Sequence, residues 1–158
     1  VHHAGAGLWE AVLGAACLAA AVVFLARARR APAHRSTALG HGVMAVAMGA
    51  MAAGGHGISA VLAAVSCLFA LAGRGRGESS AAETLHSCAA GAAMVLMPLL
   101  PREHGGLAVG VLCLALTGYF AVRTGTWWHS LTSSRSRSEP AAHLVMGAAM
   151  ATTFLTLV

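Results

Sequence analysis

The feature that most constrains this chain is a succession of apolar segments, each about 17–20 residues long, the length at which a helix crosses a bilayer. Six can be read, over roughly 8–26, 38–54, 56–72, 82–99, 104–123 and 140–158. Charged residues make up 9% of the chain, against roughly 25% in a soluble domain. A chain so poor in charge cannot cover a water-exposed surface. The pattern predicts an all-α integral membrane fold of six transmembrane helices in a single membrane domain, 1–158.

Local signals set the ends of these segments. Ser36 and Thr37 are cap candidates for the second, Pro98 and Pro101 stop the fourth, and Pro140 suits the first turn of the sixth. Ser80 and Glu83 have the spacing of a capping box. Arg27, Arg29, Arg30 and Arg35 follow the first segment, Arg74 and Arg76 the third, and Arg123, Arg135 and Arg137 the fifth. The opposite connectors carry only Arg102. By the positive-inside rule both termini face outward, and the multi-pass protein sits in a bacterial plasma (inner) membrane.

The first segment lacks a preceding basic region and is followed by arginines, as in a retained helix rather than a cleaved signal. Only a few apolar residues precede Cys17 and the apolar run continues beyond it, unlike a lipoprotein cleavage site. Orientation also accounts for the net charge of +5; no basic domain with interleaved aromatics points to nucleic acid. Trp9, Trp127 and Trp128 fall at segment ends as interface anchors. The four cysteines lie in apolar segments, unlike a secreted disulfide framework. Gly106-x-x-x-Gly110 has the spacing of close helix packing in lipid.

A repeat underlies the six segments. An odd-numbered segment is introduced by a histidine (His3, His56, His104) and holds one cysteine (Cys17, Cys67, Cys113). The even-numbered segment that follows carries a histidine near its start and methionines farther along. This predicts three helical hairpins, over roughly 1–54, 55–101 and 102–158, arranged about a pseudo-threefold axis along the membrane normal.

The even segments hold the chemistry. His41, Met44, Met48 and Met51 fall within about 80° of arc on one helix. His143, Met146 and Met150 repeat the phrase, and His86, Met94 and Met97 form a looser copy. All seven methionines lie on these three segments; with equal odds per segment the chance of that is about 1 in 100. If the three helices share an axis, His41, His86 and His143 form one layer. Met48, Met94 and Met150 form another about 10–12 Å higher at 1.5 Å rise per residue.

Thioether sulfur is soft, uncharged and carries no proton. It suits Cu(I) and suits Zn²⁺, Mg²⁺ or Ca²⁺ poorly. His3, His56 and His104 could add an outer metal layer, and Glu83 and Glu10 could support ligands from behind. Cys88 lies about 200° around from His86, which places it off that face. The expected function is an integral membrane Cu(I)-binding protein for copper transport, storage or delivery, with a copper donor or acceptor protein as a partner.

Ordinary packing competes with each of these roles. A methionine in an apolar helix is commonly a gap filler, and Glu83 suffices as a cap. Two other functions use the same residues: a b-type haem protein with axial ligands among His41, His86 and His143, and a structural or accessory subunit of a membrane complex. An enzyme is not expected, since the chain has no paired carboxylates, no nucleophile beside a base and no phosphate-binding glycine loop.

The Gly/Ala-rich composition, arginine connectors and His-x-x-Met-x-x-x-Met phrases resemble a family of small actinobacterial polytopic membrane proteins of unknown function. Met44-x-x-x-Met48 and Met146-x-x-x-Met150 resemble the Met-x-x-x-Met element of the high-affinity eukaryotic copper transporters. That second resemblance implies stacked methionine triads for Cu(I), at the level of a site only. The middle copy departs from it, with Ala90 before Met94.

Overall fold

The structure, a computed structural model, describes residues 3–96, 107–133 and 137–155. Among them are six α-helices, one short 3-10 turn and no strand. The helices are α1 (His3–Arg30), α2 (Arg35–Ala52), α3 (His56–Gly75), α4 (Ala81–Leu96), α5 (Leu107–Ser133) and α6 (Ser138–Leu155).

Among the described residues three helices are long and apolar enough to cross a membrane, spanning Gly7–Arg30, His56–Gly75 and Val109–Ser133. These are α1, α3 and α5. Their large apolar side chains point outward: Leu8, Val12 and Val22 on α1, Ile58, Val61 and Leu68 on α3, and Val111, Leu114 and Val122 on α5 are all more than half exposed. Such faces are stable against hydrocarbon, not against water. The 18 residues of α2 and of α6 extend about 27 Å at 1.5 Å per residue, just short of a hydrocarbon core of about 30 Å.

The chain forms two compact units, Val1–Val95 and Leu96–Val158. The hairpins expected over 1–54 and 55–101 thus fall largely in the first unit, and the one expected over 102–158 in the second.

In the first unit α2 is packed on both sides. A Cβ on Gly42 would lie 3.2 Å from Leu25 and 3.6 Å from Phe24 of α1. On the other side, a Cβ on Gly40 would lie 3.2 Å from the Phe69 Cβ and 3.3 Å from the Ser66 carbonyl of α3. Small residues let the backbones approach, and the Ser66 hydroxyl uses that closeness to donate to the Gly40 carbonyl at 2.8 Å. A buried hydroxyl so satisfied links α3 to α2 where no water is available. In α4, Thr84, Ser87, Ala90, Gly91, Ala93 and Met94 are buried. Ser87 and Gly91 are the points at which it meets α2 and α3. The face that α4 turns inward is therefore centred on the Ser87–Gly91–Met94 line, with His86 and Cys88 flanking it.

The arginine-bearing end of this unit is closed by Glu78, in the α3–α4 connector. Its carboxylate accepts from the Ser36 amide at 2.7 Å and the Thr37 amide at 3.3 Å. The α2 N-cap position is His34, and its side chain does not cap the helix. Ser36 and Thr37, expected as caps, lie inside the first turn and receive their cap from across the connector. Arg76 donates to the Ser36 hydroxyl and lies 4.0 Å from the Glu78 carboxylate. The His34 Nδ1–H donates to the Glu78 carbonyl at 3.0 Å. Desolvation pushes the Glu78 carboxyl up, but hydrogen bonds from the Thr37 and Ser36 amides and the Ser36 hydroxyl, with the Arg76 charge, outweigh it. The net result is a carboxyl held below its ordinary range. The expected capping box is present: the Ser80 amide donates to Glu83 at 2.8 Å, and the Glu83 amide to the Ser80 hydroxyl at 3.2 Å.

The second unit is the α5–α6 hairpin. A Cβ on Gly147 of α6 would sit 3.7 Å from the Phe120 carbonyl of α5 and against the Thr124 hydroxyl. Pro140 falls in the first turn of α6. α5 continues to Ser133, ten residues past its expected end, so Arg123, Trp127, Trp128 and His129 are helical rather than in a connector. Gly110, expected at a packing contact, has nothing within 4 Å of where a Cβ would be.

Candidate metal centre

The thioethers lie inside the protein. Met44 is 3% exposed, Met48 4%, Met94 1%, Met146 9% and Met150 2%, while Met51 is half-buried. Met97 and His104 lie outside the described residues, as does the side chain of His3. His56 is exposed at the start of α3 and Glu10 is exposed on α1.

In the first unit, His41 of α2 packs on Phe24 of α1 with ring centroids 5.2 Å apart and planes tilted by 45°. Its Nε2 lies 3.4 Å from the Ser87 hydroxyl of α4. His86, Glu83 and Arg27 are near enough to act on His41 electrostatically. His41 and His86 are therefore within electrostatic range of each other, and Glu83 acts on His41 while remaining in its capping box.

One helical turn farther along α2 is Met44. Its terminal methyl would lie 3.5 Å from a Cβ on Gly91, and the same point meets the Cys67 sulfur of α3 and, at 3.1 Å, the Ala63 carbonyl. Gly91 is thus a notch in α4 that receives a thioether from one helix and a thiol from another. The Cys67 sulfur also lies 3.9 Å from the Ser87 carbonyl and 4.0 Å from the Cys88 carbonyl. All four cysteines are free.

Cys17 lies seven residues before Phe24, the ring that meets the α2 histidine, whereas Cys113 lies fourteen before Trp127, the ring that meets the α6 histidine. Cys17 and Cys113 are fully buried, while Cys67 is half-buried.

In the second unit, His143 of α6 is 6% exposed. It stacks on Trp127 of α5 with centroids 4.1 Å apart and planes at 8°. The Arg123 guanidinium lies 5.9 Å from the Trp127 ring centre. Trp127, expected as an interface anchor, serves as the platform for a candidate ligand. Parallel stacking leaves the in-plane lone pair of an imidazole unobstructed by the platform, so it is compatible with a ligand role.

Sequence reasoning missed Ser87 and Gly91, named Cys67 only as the cysteine of its segment, and set Cys88 aside from the His86 face. The signal was available in the small-residue line Thr84, Ser87, Gly91 and Met94, whose spacing of three and four residues outlines one face of α4. Among the described residues no group of three or more His, Cys, Asp or Glu side chains is assembled as for a metal ion.

No family model matches the chain, and no curated protein or solved structure is significantly similar to it.

Proposed function

We propose that this chain is a multi-pass protein of the bacterial inner membrane, its termini outward, that binds Cu(I) for transport, storage or delivery. Thioethers of α2 and α4 in the first unit and of α6 in the second are the donors, with His41, His86 and His143 as nitrogen ligands. The observation that carries this reading is the burial of Met44, Met48, Met94, Met146 and Met150 beside a chain whose leucine, isoleucine and valine side chains are largely turned outward. Leucine fills an apolar interior as cheaply as methionine. A preference for sulfur inside and branched carbon outside supports a role for the sulfur itself. The inward set is soft and uncharged, which matches a monovalent soft ion and makes divalent hard ions poor competitors. The likeness of Met44-x-x-x-Met48 and Met146-x-x-x-Met150 to copper-transporter methionine elements points the same way. The function is one of binding and handing on, to or from a copper-carrying partner, rather than of catalysis.

The test is copper content in protein purified from copper-supplemented cells, for the wild type and for the Met48→Leu/Met94→Leu/Met150→Leu variant. Stoichiometric copper in the first and its loss in the second are expected. Undiminished copper in the triple variant would overturn the assignment of the thioethers.

A further inference from the structure

At the arginine-bearing end of the first unit, where α1 ends and α2 begins, the surface dips into a cavity of about 440 Å³. It is lined by Leu25, Ala28, Arg29, Pro32, Arg35 and Leu39. Arg29 comes from the last turn of α1 and Arg35 is the first residue of α2. Both are exposed, whereas Ala28 is buried and Leu39 half-buried. Among the described residues neither guanidinium has a hydrogen-bond or ion-pair partner, and no carboxylate lines the cavity. Glu78, the acid nearest α2, is already engaged by the Ser36 and Thr37 amides. The apolar lining continues along α1. Leu18, Val22, Leu25 and Arg29 follow at spacings of four, three and four residues, which puts them on one helix face, and the three apolar members are exposed. Leu25 and Leu18 lean over α2: a Cβ on Gly42 would be 3.2 Å from Leu25, and one on Gly49 3.5 Å from Leu18. From Arg29 to Leu18 this strip runs about 16 Å at 1.5 Å per residue, about one leaflet of a hydrocarbon core of about 30 Å.

We propose that the cavity and the strip together bind one anionic phospholipid, its phosphate held by Arg29 and Arg35 and an acyl chain laid along Leu25, Val22 and Leu18. Guanidinium is always charged and meets phosphate through two parallel hydrogen bonds. Two such groups without partners, set beside leucine side chains, call for an anion that also carries hydrocarbon. Water satisfies the arginines but not the apolar lining, and a free anion leaves the strip bare. The cavity falls within the roughly 300–1,000 Å³ of small-molecule sites, room for a headgroup, while the strip takes the chain. Both arginines stand at the end of the Gly7–Arg30 membrane-crossing length, where lipid phosphates lie rather than acyl tails. Basic pockets between helices at this level are recognised sites for anionic headgroups. Because one arginine belongs to α1 and the other to α2, a bound phosphate ties the two helices across their turn.

This site rests on the membrane-spanning reading and not on copper, so it and the Cu(I) function fail separately. The experiment titrates the purified, delipidated chain in detergent with phosphatidylglycerol or phosphatidylcholine, with inorganic phosphate as competitor, and counts bound lipid by native mass spectrometry. One phosphatidylglycerol is expected in the tightest step, with phosphatidylcholine weaker and inorganic phosphate unable to displace the lipid. The Arg29→Gln/Arg35→Gln variant should bind phosphatidylglycerol roughly 10-fold more weakly or worse, the effect of losing hydrogen bonds between charged groups. Arg30→Gln removes a neighbouring charge that does not line the cavity and should change binding by less than about fivefold. Unchanged binding in the double variant would overturn the site. So would equal affinity for phosphatidylcholine, which would mean that apolar fit alone retains lipid, or displacement by phosphate, which would mean a site for the free anion. A measurement on the unaltered chain guards against misfolding of the variant: phosphatidylglycerol should protect Arg29 and Arg35 from phenylglyoxal more than Arg30, read residue by residue by mass spectrometry. Modification of Arg29 and Arg35 at the same rate with and without the lipid would equally overturn the site.

Discussion

The helices α1, α3 and α5 and the helices α2, α4 and α6 use the same small residue in opposite ways. On α2, α4 and α6, every described glycine is a contact: Gly40, Gly42, Gly49, Gly91 and Gly147 each have a neighbour where a Cβ would go. On α1, α3 and α5, Gly7, Gly57, Gly75, Gly110, Gly118 and Gly125 face open space, and only Gly14 and Gly73 touch another element. The first set is packed through its backbone; the second is long, apolar and turned outward. Hydropathy groups all six helices together, whereas packing separates helices with exposed large apolar side chains from helices whose glycines are contacts within their own unit. The buried candidate ligands Met44, Met48, Met94, His143, Met146 and Met150 therefore lie where a bound ion would be shielded from water.

The contrast breaks most easily at buried aromatic rings. Phe24 is 0% exposed and Val22, on the same helix, 65%. Phe24→Ala should cost about 3–5 kcal/mol in unfolding free energy, while Val22→Ala should stay within about 0.5 kcal/mol. Unfolding from detergent into sodium dodecyl sulfate, followed by circular dichroism, measures both. Comparable losses would mean that the outward face of α1 is packed after all.

Overpacking comes next. Gly40→Leu drives a side chain into Phe69 and the α3 backbone and should cost about 1–3 kcal/mol. Gly118→Leu, in open space, should be neutral or slightly stabilising because leucine is the better helix former. The same unfolding assay reads this pair, and equal effects would erase the distinction between the two helix sets.

Smaller again is the link between them. Ser66→Ala removes the hydroxyl that donates to the Gly40 carbonyl. It should cost about 0.6 kcal/mol and no more than about 1.7, the range seen for interhelical hydrogen bonds in membranes.

The smallest effect carries a pH signature. The folded Glu78 carboxyl titrates below its ordinary 4.5. The cap it places on α2 is therefore fully present above that ordinary value and is lost as pH falls through the lower folded one. Stability should decline on acidification across that window, and Glu78→Gln should flatten this part of the profile. An unchanged slope in the variant would show that the cap contributes nothing.

Much of this architecture is legible in the sequence because it is local. Apolar length marks the helices, Pro140 falls in a first turn, and Ser80 and Glu83 form their capping box four residues end to end. What escapes is decided at a distance. The cap on α2 comes from Glu78, more than forty residues on, and no local pattern names it. The 3.6-residue period relates residues on α4 to one another but does not say which side meets α2. Choosing His86 as the centre left Cys88 aside, whereas the packed line runs through Ser87 and Gly91. Likewise α5 continues past Arg123 because its tryptophans and threonines can remain helical when α6 packs alongside. The methionines themselves were legible as a set, and their burial is what the sequence could not supply.

The central claim is that buried sulfur on α2, α4 and α6 holds Cu(I). It is tested most directly by elemental analysis of the protein purified from cells supplied with both copper and haem precursor, with an absorption spectrum of the same sample. The account predicts stoichiometric copper and no Soret band. A Soret band with no copper, or a sample containing neither metal, would contradict it.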